Sequence, residues 1–268
     1  MSSILKKIER KMRHTIRGAI YDYRQKRSHG VVVLGSSSSE IFDYIFGDNG
    51  KYYPLWLDGW TARGLNKNEN QDYIEYILKD VDKKALIILS SFGVTDVFVG
   101  LSFDKDKYGD VNLKEFANEC YTGITKTMHT LHKNGFYNVV IVYYSPLPDF
   151  DDTYWTDGGF SKHFTNREMA NVLKDIVTLT EQEFNVLNIT PIFSKKESPY
   201  LADEKFQRNI RDHHLDYIKI QSLMWKNIKH LKGMIPRRKK ALKEYYSRDR
   251  HMAGDYIPHK KIKPRTTQ

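Results

Sequence analysis

The chain has 268 residues, 40% of them hydrophobic and 13% aromatic, and a formal net charge of +10. This composition excludes general disorder, and no stretch approaches the roughly 18 consecutive apolar residues that a membrane-spanning helix needs. Cys120 is the single cysteine, which excludes an intrachain disulfide framework and fits a reducing, cytoplasmic setting.

The positive charge is concentrated at the ends. Residues 1–30 carry nine Lys/Arg against two Asp/Glu, and residues 226–268 carry fourteen against three, which leaves the segment between them net acidic by eight. Clustered cations gain from approaching a negative surface, so the basic ends are candidates for contact with an anionic membrane or a polyanionic glycan; a solvated tail is the alternative. No recognisable nucleic-acid module accompanies these charges, so no specific nucleic-acid partner is expected. The basic amino-terminus lacks the continuous apolar segment and small-residue cleavage site of a secretory signal.

In chain order, residues 3–27 read as an amphipathic helix, because Ile4, Ile8, Met12, Ile16, Ile20 and Tyr23 recur every three or four residues among basic ones. That stripe is expected to pack on the core or on a partner. Short apolar runs then alternate with helical patterns: strands over 31–34, 52–57, 84–90, 139–144 and 185–189, and helices over 39–46, 69–82, 112–134 and 165–184. This alternation predicts parallel βαβ units, hence a three-layer α/β/α fold of flavodoxin-like type with a mainly parallel five-stranded sheet and ligand contacts at the carboxyl ends of the strands. A loop over 145–164, rich in Pro, Gly, acidic and aromatic residues, is a candidate substrate cover. A helix over 214–232 follows, and a second short one is expected near 238–247. The expected organisation is a basic helical segment over 1–30, an α/β domain over 31–232 and a basic extension over 233–268.

The most informative segment is Leu34-Gly35-Ser36-Ser37-Ser38-Ser39, a turn between an apolar strand and a helix-like stretch. A hydroxyl held there sits on a rigid strand end, beside unpaired amides that favour developing negative charge. Ser37 is the candidate nucleophile; a helix-capping serine loop is the structural alternative. Three further segments follow at strand ends or late in the chain: Asp58-Gly59-Trp60-Thr61-Ala62-Arg63-Gly64-Leu65, Phe92-Gly93-Val94-Thr95-Asp96 and Arg211-Asp212-His213-His214-Leu215-Asp216.

The order and context of these four segments resemble the SGNH, or GDSL-type, hydrolase superfamily over about residues 31–220. The resemblance implies Ser37 as nucleophile, His214 as general base with Asp212 as its acid, and His213 as the alternative base. It implies an oxyanion hole from Ser37, Gly59 and Thr95, and no cofactor or metal. The Gly59–Leu65 stretch is similar to SGNH-like proteins of cell-surface polysaccharide synthesis, so the implied activity is ester hydrolysis or O-acyl transfer on a glycan or acylated sugar. Three positions depart from the family pattern: Ser36 stands for Asp, Thr95 for Asn, and Arg211 occupies the usual acid position three residues before His214. Asp96 is expected to hold its loop by hydrogen bonds rather than to act in chemistry.

Two other classes stay open at this level. Asp149-Phe150-Asp151-Asp152 follows an apolar strand and presents the closely spaced carboxylates with which a glycosyltransferase holds Mg²⁺ or Mn²⁺ against a nucleotide-sugar. The third class is a noncatalytic SGNH-like glycan-binding protein, since a fold alone does not establish chemistry. His129 and His132 share a helix face but lack a third ligand at a diagnostic spacing.

Overall fold

A computed structural model describes residues 3–47, 49–150, 161–209, 212–238 and 240–243. Its centre is a five-stranded sheet of β1 (Val31–Gly35), β2 (Tyr52–Pro54), β3 (Leu86–Ser90), β4 (Val139–Tyr143) and β5 (Val186–Asn188), ordered β2-β1-β3-β4-β5. All four strand pairings are parallel. The chain leaves β1 to one side for β2 and returns to its other side for β3, so a switch point opens at the carboxyl ends of β1 and β3, where open α/β sheets bind ligands.

Every residue of β1, β3 and β4 is buried, as expected for strands covered on both faces. Successive side chains feed opposite cores. Val32, Leu34, Ile87 and Leu89 pack on one face with α3 (Asn68–Leu78), α5 (Leu113–Lys133) and α6 (Asn166–Glu183). Val31, Val33, Ile88 and Val142 pack on the other with α2 (Ile41–Phe46) and α8 (Tyr217–Ile228). Local signals set the helix starts: Asn112 caps α5 through the amides of Lys114 and Glu115, and Thr165 with Glu168 forms a capping box on α6.

The structure departs from the sequence expectations in instructive places. The segment 39–46 opens with a 3₁₀ turn over Ser37–Glu40 before α2 begins. The strand expected over 52–57 stops as β2 at Pro54, which has no N–H for the ladder, although Leu55 and Leu57 still donate to Val33 and Gly35. A π-turn over Asp96–Gly100 leads into α4 (Leu101–Tyr108), a helix whose sequence carries no clear apolar stripe. The helix expected from 214 begins at Tyr217, because residues Asp212–Leu215 form β7 in a two-stranded antiparallel ribbon with β6 (Gln207–Asn209). A four-residue helix, α7 (Thr190–Phe193), precedes that ribbon. Of the short helix expected near 238–247, Arg238 and residues 240–243 are described and are not helical; the rest lies outside the described residues.

For α1 (Ser3–Arg27) the structure decides against one of the two expected packings, that on the core. The helix forms as expected, but its stripe does not pack on the core: Leu5, Ile8, Met12, Ile16, Ile20 and Tyr23 are 49–59% exposed. Among the described residues, no helix is long and apolar enough to cross a membrane.

Candidate active site

Ser37 opens the 3₁₀ turn immediately beyond β1, so its position is inherited from a fully buried strand. Gly35 is required there by close approach rather than by an unusual backbone angle. A Cβ at this position would lie 2.2 Å from Ser39 Oγ and 2.5 Å from the Ser90 carbonyl oxygen. Behind the turn, the buried Tyr144 hydroxyl donates to the Ser38 carbonyl, and Ser36 Oγ lies 3.2 Å from Ser38 Oγ. Ser36, where the family pattern has Asp, is thus a packed element of the turn.

The imidazole that meets Ser37 is that of His214, with Nε2 2.9 Å from Ser37 Oγ, across 177 residues of chain. Its other nitrogen, Nδ1, lies 2.7 Å from Asp212 Oδ1, and the His214 backbone amide donates to the same oxygen at 2.9 Å. The two-residue spacing, irregular against the family pattern, follows from the strand: alternate residues of β7 face the same side, so Asp212 and His214 share one face. His213, between them, is exposed and stacks on Phe98 with ring centroids 4.9 Å apart. Arg211 lies outside the described residues.

Burial alone would raise the Asp212 carboxyl. The hydrogen bond and charge of His214, the His214 amide and the charge of Arg208 outweigh it and hold the group well below the usual carboxylate range. Arg208 Nη1 donates to Asp212 Oδ2 at 3.1 Å, so each carboxylate oxygen has a nitrogen partner. His214 is 3% exposed. A buried imidazole held between an ionised carboxylate and a hydroxyl is arranged to accept the hydroxyl proton and to be stabilised once charged.

Ser37 and His214 open on a cavity of about 280 Å³ at the carboxyl edge of the sheet. Gly59 and Thr95 line the same cavity, so the residues expected to form an oxyanion hole are brought to one place. Gly59 is exposed and left-handed, with φ +70°, a conformation that itself favours glycine. Asp96 fixes the two loops together: its Oδ2 accepts from the Ala62 amide at 2.7 Å and its Oδ1 from the Arg63 amide at 2.9 Å. Desolvation raises its pKa against the opposing pull of those amides. Gly123 of α5 lets the same loop seat deeply, since a Cβ there would lie 1.9 Å from the Ala62 carbonyl oxygen.

Asp58 of the Asp58–Leu65 segment and Ser145 and Pro148 of the loop expected to cover the substrate line the cavity too, as do Phe98 and Val99, which the sequence motifs did not include. Phe98 and Val99 sit in the π-turn that follows Thr95, so nearness to that segment was the available signal. Among the described residues, Asp212, His213 and His214 have ligand atoms within 4.8 Å of one another. Both His214 ring nitrogens already face Ser37 and Asp212, which suits proton transfer better than metal ligation. Of the acidic loop, Asp149 is taken up by Asn166 at 2.6 Å and Lys195 at 2.6 Å, while Asp151 and Asp152 lie outside the described residues.

No family model matches the chain, and no curated protein matches it by sequence. Solved structures are similar to it at low identity. A Streptococcus pneumoniae protein provisionally assigned as platelet activating factor is 13% identical, with a TM-score of 0.51 over 85% of this chain and 98% of that one. Est24, a carbohydrate acetylesterase from Sinorhizobium meliloti, is 18% identical with a TM-score of 0.39, over 72% of this chain and 99% of its own. The carboxy-terminal domain of Drosophila Oskar is 11% identical with a TM-score of 0.41, over 74% of this chain and 87% of that one. At such identities the likeness concerns fold: this chain shares its three-layer α/β/α architecture with the streptococcal protein over most of the length of both.

Proposed function

We propose that this chain is a serine-dependent ester hydrolase or O-acyltransferase acting on an acyl substituent of a carbohydrate. The observation that carries the reading is the Asp212–His214–Ser37 relay, with contacts of 2.7 and 2.9 Å, opening on a cavity lined by Gly59 and Thr95.

In this mechanism His214 Nε2 accepts the Ser37 hydroxyl proton as Oγ bonds to the acyl carbonyl carbon. The carbonyl oxygen becomes an oxyanion, for which the amides of Ser37 and Gly59 and the hydroxyl of Thr95 are the donors. Thr95 offers a single hydroxyl hydrogen where Asn would offer an amide. Collapse breaks the ester C–O bond, and the leaving sugar oxygen takes the proton from His214. Water or a second sugar hydroxyl then gives its proton to His214 and attacks the acyl-Ser37, and His214 returns the proton to Oγ. Asp212 stays ionised and holds the ring with Nδ1–H toward itself, which leaves Nε2 free to accept. The carbohydrate assignment draws on the similarity of the Gly59–Leu65 segment to SGNH-like proteins of polysaccharide synthesis.

The test is turnover of p-nitrophenyl acetate and of an acetylated oligosaccharide, with and without an acceptor sugar. Wild type is expected to release or transfer acetyl without added metal and to show an acetylated Ser37 peptide by mass spectrometry. Equal turnover by wild type and Ser37→Ala would overturn the proposal.

A further inference from the structure

The catalytic reading leaves α1 without a role. At about 1.5 Å per residue this 25-residue helix is roughly 37 Å long, and its apolar stripe faces solvent through Leu5, Ile8, Met12, Ile16, Ile20 and Tyr23. Lys6, Arg10 and Arg17 fall together on the flank of the stripe at helical spacing. A Cβ on Gly18, in mid-helix, would meet nothing within 4 Å. Polar ties of the helix to the described body are found at its carboxyl end. Gln25 exchanges hydrogen bonds with Asn49 at 2.5 and 2.9 Å, and Lys51 Nζ donates to the Lys26 carbonyl at 3.3 Å.

The second basic end of the chain arrives at the same place. Asn49 Nδ2 also donates to the Pro236 carbonyl at 3.1 Å, and the Arg238 amide donates to the Ile45 carbonyl at 2.8 Å. Arg24, Lys26 and Arg27 flank Gln25 in the last turn of α1, and Arg237 and Arg238 follow Pro236, so both basic segments are tethered at Asn49. Two cationic segments far apart in sequence are thus joined at the foot of the surface that the exposed α1 stripe and its flanking cations form among the described residues.

We infer that this surface docks the protein onto an anionic lipid bilayer, with α1 lying in the plane of the interface. Charge decides the occupant. A bilayer bearing phosphatidylserine-type headgroups accepts the apolar stripe among its acyl chains and satisfies the flanking cations at once. A second copy would bring a like-charged helix against this one, since residues 1–30 carry nine basic and two acidic residues. A nucleic acid would engage the cations and leave the stripe in water.

The inference stands apart from the esterase reading, and its test keeps the two distinct. The full chain is mixed with vesicles of phosphatidylcholine alone or containing 30% phosphatidylserine, and bound protein is measured by flotation. Binding is expected to the anionic vesicles, weakened at 0.5 M NaCl. Ile8→Asp with Ile16→Asp, and separately Lys6→Glu with Arg10→Glu and Arg17→Glu, are each expected to weaken it by about tenfold or more. The melting temperature should not change, because these side chains lie outside the core, and Ser37→Ala should bind as wild type does. Equal binding to both vesicle types, or binding unaffected by either set of substitutions, overturns the inference. So does a dimer in sedimentation equilibrium that is lost in Ile8→Asp/Ile16→Asp without any vesicle binding, and so does DNA binding that exceeds vesicle binding.

Discussion

In the proposed mechanism the Ser37 hydroxyl, a poor nucleophile in water, is activated by His214 Nε2, which lies 2.9 Å away. Because the two act as a unit, Ser37→Ala and His214→Ala are each expected to lower kcat by roughly 10⁴-fold or more, with the double variant scarcely worse; assay of all three on one acyl ester checks this. Asp212 makes a separate prediction through pH. Its folded-state pKa is depressed, so its contribution to stability is complete above the unfolded value of about 3.9 and is lost as pH falls through the folded one. Asp212→Asn lacks that contribution. Thermal melts should therefore show the largest gap between wild type and variant near neutral pH, and a narrowing gap below about pH 4.

Secondary-structure elements decide whether these residues meet. Asp96 ties the loop after β2 to the loop after β3 through two backbone amides, so Asp96→Ala orphans both. Each orphaned buried amide costs roughly 1–3 kcal/mol. A lowered melting temperature together with a fall in kcat is expected, measured by calorimetry and ester turnover. This level also explains what could be read from sequence. The runs Val31–Leu34, Leu86–Leu89 and Val139–Val142 announce buried parallel strands by continuous hydrophobicity, and with them the ends where Ser37 and Thr95 sit. The Asp212–His214 pairing came from the resemblance and not from any local pattern, because residues 214–232 carry a helical periodicity that overruns the short strand β7. Only strand periodicity turns a spacing of two into a shared face. The contacts of Gly35 with Ser90 and of Gly123 with Ala62 join segments that no local pattern links.

At the scale of the whole molecule, the sheet separates two surfaces. The cavity with Ser37 lies at the carboxyl edge, whereas α1 and the segment around Pro236 meet Asn49 at the amino edge, just before β2. Environment-sensitive dyes can be attached through Ile16→Cys or Val94→Cys, since Cys120 is fully buried. On adding anionic vesicles, the dye at position 16 is expected to shift to the blue and the dye at position 94 to keep its aqueous spectrum. With the docking and the activity proposed above, the attachment of α1 by its carboxyl end to the rim opposite the cleft has a practical meaning for the substrate. A catalyst moored by its base and open at its summit would be blind to groups lying flush with the lipid headgroups and would reach polymer that has already risen the height of a domain into the surrounding water.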